Sequence, residues 1–288
     1  MKALATVASI GHVKLIKEED AGDAVVPDNA LHIPDFRVVL EDARQLLVEV
    51  KNTHPKDPLA PIRIKTAYLD GLIAYAGLTG GELLVATYWS KWNLWTLVAP
   101  HAFGTDGQYQ VVSMPEAMMH NRMADLGDVQ IATRPPLRLR LTADIQKVRS
   151  IDASGQVEFT ISAADLFSGD QPINNPLDKR IAMFLMFYGD WCLEGPLADA
   201  SGNQLNAIEF HMIPEHPSGQ EFDMIGSLSS MFSNRCRMAT HGKGQVEQVK
   251  IDYTPGFLGR LIPRGYSGTD LPLWKFVQEA AHAPATQA

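Results

Sequence analysis

Two acidic residues and a lysine stand in stretches that are otherwise strongly apolar. Pro34-Asp35 leads into Phe36-Arg37-Val38-Val39-Leu40, and Glu49-Val50-Lys51 closes the run that starts at Gln45. Residues two apart on a strand point to the same face, so Glu49 and Lys51 share one. Asp35 joins them if the hairpin register allows. Burying such charges costs several kcal/mol unless they pair or bind a metal. Two carboxylates beside a lysine suit a hard dication such as Mg²⁺, which takes oxygen ligands and keeps waters for chemistry. Phosphodiester hydrolysis uses that set: a metal polarises the phosphate and acidifies water, and a cation sits near the developing charge. An ordinary cross-strand ion pair on a half-exposed strand is the competing account.

Several elements must position these groups. Val13-Lys14-Leu15-Ile16 reads as a strand running into Glu18-Glu19-Asp20. Ile33 to Leu40, which includes Asp35, and Gln45 to Lys51 read as the strands of a hairpin around the turn Glu41-Asp42-Ala43-Arg44. After a proline-rich loop, Pro55 to Pro61, the spacing of Tyr68, Leu69, Leu72, Ile73 and Ala76 predicts a helix that Gly80-Gly81 ends. Leu83 to Trp89 and Leu94 to Ala99 read as strands around Ser90-Lys91-Trp92-Asn93. Ser113 and Glu116 fit a capping box, and Gly127 stands where that helix should end. The opening stretch Lys2 to Ile10 carries a short helical stripe.

From about Arg134 the texture changes, which predicts a first domain over 1–132 and a second over 133–288. In the second, Leu137 to Leu141, Val157 to Ile161, Ala207 to Met212 and Val246 to Tyr253 read as strands. Asp178 to Trp191 and Met224 to Ala239 read as helices, and the apolar run Ile181 to Tyr188 is expected to be buried.

The set Pro34-Asp35 … Glu49-Val50-Lys51, followed by a helix carrying Lys65 and Tyr68 and then the strand Leu83 to Trp89, resembles the PD-(D/E)XK nuclease superfamily. The resemblance covers roughly the first third of the chain. It implies that Asp35 and Glu49 bind Mg²⁺, with Mn²⁺ as a substitute, and that Lys51 positions the attacking water. The fold it implies is α/β to α+β: a restriction-endonuclease-like mixed sheet flanked by helices. A second α+β, strand-rich domain that binds substrate or a partner would follow. Many members carry a further acid before the first core strand. Here Glu18, Glu19 or Asp20 takes that place, or the site uses fewer ligands, or the true start lies upstream. The implied substrate is nucleic acid, most directly DNA, and the implied setting a restriction or phage-defence system, alone or with a partner subunit or as a homo-oligomer. The alternative is a non-catalytic interaction protein that keeps the fold and docks a partner through its C-terminal domain.

Composition narrows the classes further. The chain has 288 residues, 25 Lys+Arg against 33 Asp+Glu and a net charge of −8, which argues against a protein that coats nucleic acid non-specifically. Local basic stretches remain: Arg134, Arg138, Arg140, Lys147 and Arg149, and then Arg235, Arg237, Lys243, Lys250, Arg260 and Arg264. Lys65, Tyr68, Arg235 and Arg237 are the candidate nucleic-acid contacts. Two cysteines, Cys192 and Cys236, make neither a disulfide framework nor a cysteine-rich zinc site. His211 and His216 flank Glu215, but Pro214 breaks the helix a zinc motif there needs. His54 reads as an exposed loop residue. No apolar run approaches the roughly 20 residues that span a bilayer. No secretory leader is read at the start. The expectation is a cytoplasmic protein without membrane contact.

Overall fold

The computed structural model describes residues 6, 10–21, 31–241 and 256–280. The chain divides into two compact units, one of Met1–Val129, Leu228–Arg260 and Val277–Ala288, the other of Gln130–Ser227 and Leu261–Phe276. They are not consecutive halves of the sequence. The expected helical stripe at 2–10 and strand at 246–253 lie largely or wholly outside the described residues, as do Lys243 and Lys250.

The first unit is built on a five-stranded sheet. Strands β1 (Val13–Glu18) and β3 (Gln45–Thr53) each pair antiparallel with β2 (Phe36–Leu40) between them. The β2–β3 turn passes through Ala43, whose φ is +70°. A short strand β4 (Ile62–Lys65) and helix α1 (Thr66–Thr79) carry the chain across to β5 (Glu82–Trp89), which pairs parallel with β3. A parallel pair needs such a crossover, and the helix supplies it. Gly80 ends α1 in the left-handed region, φ +70°, its N–H returning to the Ala76 carbonyl. β6 (Leu94–Val98) then pairs antiparallel with β5, giving the order β1-β2-β3-β5-β6. A small sheet of β4, β7 (Gly104–Asp106) and β8 (Tyr109–Val112) stands beside it.

The alternation of side chains along these strands separates the two faces. Leu47, Val85, Trp89 and Val98 pack with Leu69, Leu72 and Ala76 of α1 into one buried cluster. The other face carries Val48, Val50, Ala86 and Trp95. The predicted helix from 113 to 127 is two pieces. The capping box of Ser113 and Glu116 starts α2 (Met114–Met119), and a 3₁₀ turn follows at Met123–Leu126, closed by Gly127. Asn121 lies in the gap. Its Oδ1 accepts the N–H groups of Leu97 and Met123, so the chain turns around this side chain.

The second unit holds a five-stranded antiparallel sheet and a three-stranded one. β9 (Gln130–Thr133), β10 (Leu137–Ala143), β11 (Ile161–Ser168), β12 (Gln171–Ile173), β13 (Cys192–Ser201), β14 (Gln204–Ile213), β15 (Asp223–Ser227) and β16 (Leu273–Phe276) supply the strands. Their orders are β12-β11-β10-β14-β13 and β15-β9-β16. Helix α3 (Pro176–Tyr188) is capped by Asn175; of the run expected to be buried, Ile181, Ala182, Phe184, Leu185 and Met186 are, whereas Phe187 is exposed. Residues 157–160 lie outside any strand, and β11 starts only at Ile161. The predicted helix 224–239 begins instead as β15, because Asp223 and Met224 pair with β9 and Gly226 takes a φ of +111°. Helix α4 (Leu228–His241) follows and belongs to the first unit. The observed class is thus a mixed α/β chain with several sheets and few helices.

Candidate active site

Glu49 sits in the middle of β3 with only 2% of its surface exposed. Leu46, Leu47 and Val48 before it are buried aliphatics, so apolar burial drives the strand there and Glu49 is carried inside with it. Its Oε1 accepts from the Lys51 ammonium at 2.5 Å and from the Tyr68 hydroxyl at 2.9 Å. Both partners use the same oxygen. Among the described residues the other, Oε2, is buried with no hydrogen-bond partner, and so is Oγ1 of Thr87, which pairs with Lys51 across β3 and β5. Leaving a buried acceptor unsatisfied costs about 1–3 kcal/mol, more when it is charged.

Asp35 stands just before β2. Phe36 faces Val48, so one further step in the antiparallel register sets Asp35 across from Glu49. Its Oδ2 accepts the Val50 N–H at 2.6 Å, and its carbonyl accepts the Glu19 N–H at 2.9 Å. Burial holds its carboxyl above the usual aspartate value, with the neighbouring Glu49 and Asp20 charges adding to the rise. The Val50 hydrogen bond and Lys51 oppose it.

Three candidate acids precede this group, and the structure distinguishes them. Glu19 is taken up by the Arg37 guanidinium, at 2.6 Å from Nη2, and by the Tyr75 hydroxyl at 2.9 Å. The Arg37 bond holds its carboxyl below the usual range. Asp20 is exposed and close enough to raise both Asp35 and Tyr68. Glu18 is exposed at the end of β1, opposite Phe36.

Tyr68 lies in the first turn of α1, which brings its hydroxyl over β3. Burial first, then its bond to Glu49, pushes the phenol well above its ordinary value, so it stays a donor. The Lys51 ammonium lies 5.1 Å from the centre of the Tyr68 ring, and the His32 ring stacks against it at 4.5 Å. His32 carries no motif of its own; three positions ahead of Asp35, it is brought in only by the packing of α1. Lys65 is exposed at the head of α1, one turn before Tyr68.

Arg235 and Arg237 stand elsewhere. Helix α4 reaches the sheet through Trp95, whose Nε1 donates to Ser233 Oγ at 3.0 Å, and through Asn93, which donates to Asn234 at 2.9 Å. Trp95 pairs with Tyr88, on the opposite face from Thr87 and hence from Glu49 and Lys51. Arg235 stacks on Phe257 at 4.3 Å, and Arg237 donates to Asn234.

The arginines of β10 do not form a basic patch. Arg140 bonds Glu209 and Asp199, each at 2.5 Å, and Arg138 pairs with Asp170 and Glu209. Glu209 also bonds His211 at 2.8 Å. Glu209 on the neighbouring strand β14, Asp199 on β13 and Asp170 in the turn between β11 and β12 neutralise them. His54 meets Ser90 at 2.8 Å, and among the described residues neither Cys192 nor Cys236 is in a disulfide.

The donor set suits a hard dication at Asp35 and Glu49: two carboxylates, one with a buried oxygen that lacks a partner. Among the described residues no group of three or more His, Cys, Asp and Glu side chains gathers around a common point. A metal held here would take two protein carboxylates and complete its shell with water, as Mg²⁺ commonly does. Among the described residues no helix is long and apolar enough to cross a membrane.

No protein-family model and no curated protein matches the chain. Among solved structures, a Holliday junction resolvase from the archaeal hyperthermophile Archaeoglobus fulgidus is similar at 17% identity and a TM-score of 0.31, over 39% of this chain and 84% of its own.

Proposed function

We propose that this chain is a metal-dependent endonuclease that hydrolyses phosphodiester bonds, with DNA as the substrate the sequence resemblance implies. In this reading the first unit carries the chemistry, and the second binds substrate or a partner. The observation that carries the reading is the Glu49 carboxylate. Its Oε1 is fixed by Lys51 and Tyr68, while its buried Oε2 has no partner among the described residues. A structural ion pair would leave no reason to bury the second oxygen unpaired.

Asp35 and Glu49 would hold Mg²⁺ or Mn²⁺, with Asp20 as the acid of residues 18–20 best placed to assist. Bound there, the metal would polarise the phosphate and acidify a water. Hydrolysis forms a bond from the water oxygen to phosphorus as the bond to the departing sugar oxygen breaks. Lys51, fixed through Glu49, orients the water and offsets the negative charge that grows on the phosphate. The Val50 and Glu19 N–H groups hold Asp35 in place.

The test incubates the purified protein with plasmid, single-stranded DNA and RNA, with and without Mg²⁺, beside Lys51→Ala. Mg²⁺-dependent cleavage that falls at least about 100-fold in the variant, with substrate affinity close to wild type, supports the reading. Cleavage that survives in Lys51→Ala, or none from wild type with Mg²⁺ or with Mn²⁺ in its place, overturns it.

A further inference from the structure

Beside the carboxylates lies an imidazole to which the chemistry above assigns no role. His32 precedes Pro34-Asp35 and is partly exposed. Its ring centre lies 4.5 Å from that of Tyr68, tilted by 39°. Among the described residues no hydrogen bond holds either of its ring nitrogens. Tyr68 thus braces three groups at once: its hydroxyl holds Glu49, and its ring meets both Lys51 and His32.

Resting on the nuclease reading, we propose that His32 is a substrate contact, donating a ring N–H to a non-bridging phosphate oxygen next to the scissile bond. The local charge explains why such a donor is needed. Asp20 and Glu49 both lie close enough to Asp35 to raise its carboxyl, and the Lys51 ammonium is bonded to Glu49. A polyanionic strand approaching three carboxylates needs further donors, and phosphate contacts of this kind position nucleic acid without reading its sequence. Stacking on Tyr68 leaves the imidazole little freedom, so less ordering is required when it binds. Packing alone would also place a ring on Tyr68, and the two roles predict different variants.

His32→Phe keeps an aromatic ring against Tyr68 and removes the donor; His32→Gln keeps a donor and removes the ring. Steady-state cleavage and fluorescence anisotropy with a labelled short DNA duplex read both. The expected result is a rise of about tenfold in KM and in the duplex Kd for His32→Phe, with kcat unchanged. His32→Gln should return to within about threefold of wild type, and the metal-induced rise in Tm should be the same in all three proteins. Equal duplex affinity in His32→Phe and wild type overturns the proposal. So does a loss of kcat and of the metal-induced Tm rise in both variants, which would make His32 a positioning residue for Tyr68 and Glu49. If wild type binds the duplex without cutting it and His32→Phe still binds about tenfold more weakly, the nuclease reading fails and the contact stands.

Discussion

At the scale of single residues, the site turns on how one carboxylate divides its two oxygens. Glu49 gives Oε1 to Lys51 and Tyr68 and keeps Oε2 unpaired in a position almost closed to solvent. A dication that binds only the folded protein raises its stability by mass action. Mg²⁺ at about 100 times its Kd should add about 2.7 kcal/mol, read as an upward shift in Tm. Glu49→Gln should remove most of that shift, because a neutral amide is a much poorer ligand for a hard cation. Equal shifts in wild type and variant, followed by differential scanning fluorimetry, would place the metal elsewhere. Asp35 belongs to the same balance. Its carboxyl is raised by burial, so without metal its ionisation works against folding, and a bound cation offsets that cost.

At the scale of elements, helix α4 is tied to the first unit by a residue about a hundred positions earlier. Asp128 accepts the Ser229 N–H at 3.0 Å and the Ser229 hydroxyl at 2.5 Å, which caps the first turn of α4 with a buried carboxyl. Burial pushes that carboxyl up to about 6, against the Ser229 hydrogen bonds that lower it. A carboxyl raised in the folded state contributes stability that is full below its unfolded pKa and is lost as pH rises through the folded value. Wild type should therefore lose up to about 3 kcal/mol from this group between pH 4 and 7. Asp128→Asn keeps an acceptor for the Ser229 N–H but cannot ionise. Urea unfolding across that range should show the variant gaining on wild type as pH rises; parallel curves would show that Asp128 does not titrate there. The capping box at Ser113 and the stop at Gly80 are the more ordinary devices, and both work through residues a turn apart.

At the scale of the whole molecule, charge that looks basic along the sequence is largely neutralised or turned away from the site. Arg138 and Arg140 are paired with Glu209, Asp170 and Asp199. Arg235 and Arg237 ride on α4, across the sheet from Glu49. Changing both α4 arginines to alanine should leave the Kd for a short duplex and its salt slope within about twofold of wild type, since no released counterion depends on them. Lys65 stands at the head of α1 on the Glu49 side, and its change to alanine should lower the salt slope by about one. Anisotropy titrations over a range of salt measure both; a shallower slope in the arginine variant would mean that substrate wraps around to α4.

Local pattern made the hairpin, helix α1 and its glycine stop, the capping box of α2 and the buried stripe of α3 legible, because each is specified by neighbours within a few residues. The same pattern placed Glu49 and Lys51 on one face, since alternation along a strand is a property of the backbone. Strands β4, β7, β13 and β16 were not legible. They are short or exposed, and they exist by pairing with distant segments rather than by propensity. Asp35 needed the antiparallel register to stand across from Glu49. Tyr68 and His32 needed α1 to fold back over β3. Which acid of residues 18–20 is spare was decided by Arg37, which takes Glu19 and leaves Asp20 beside Asp35. Sequence determined the local geometry and the chemical types at the site. Only tertiary structure decided which charges neutralise one another, because a carboxylate's partner is chosen by distance in space and the chain's spacing does not encode it.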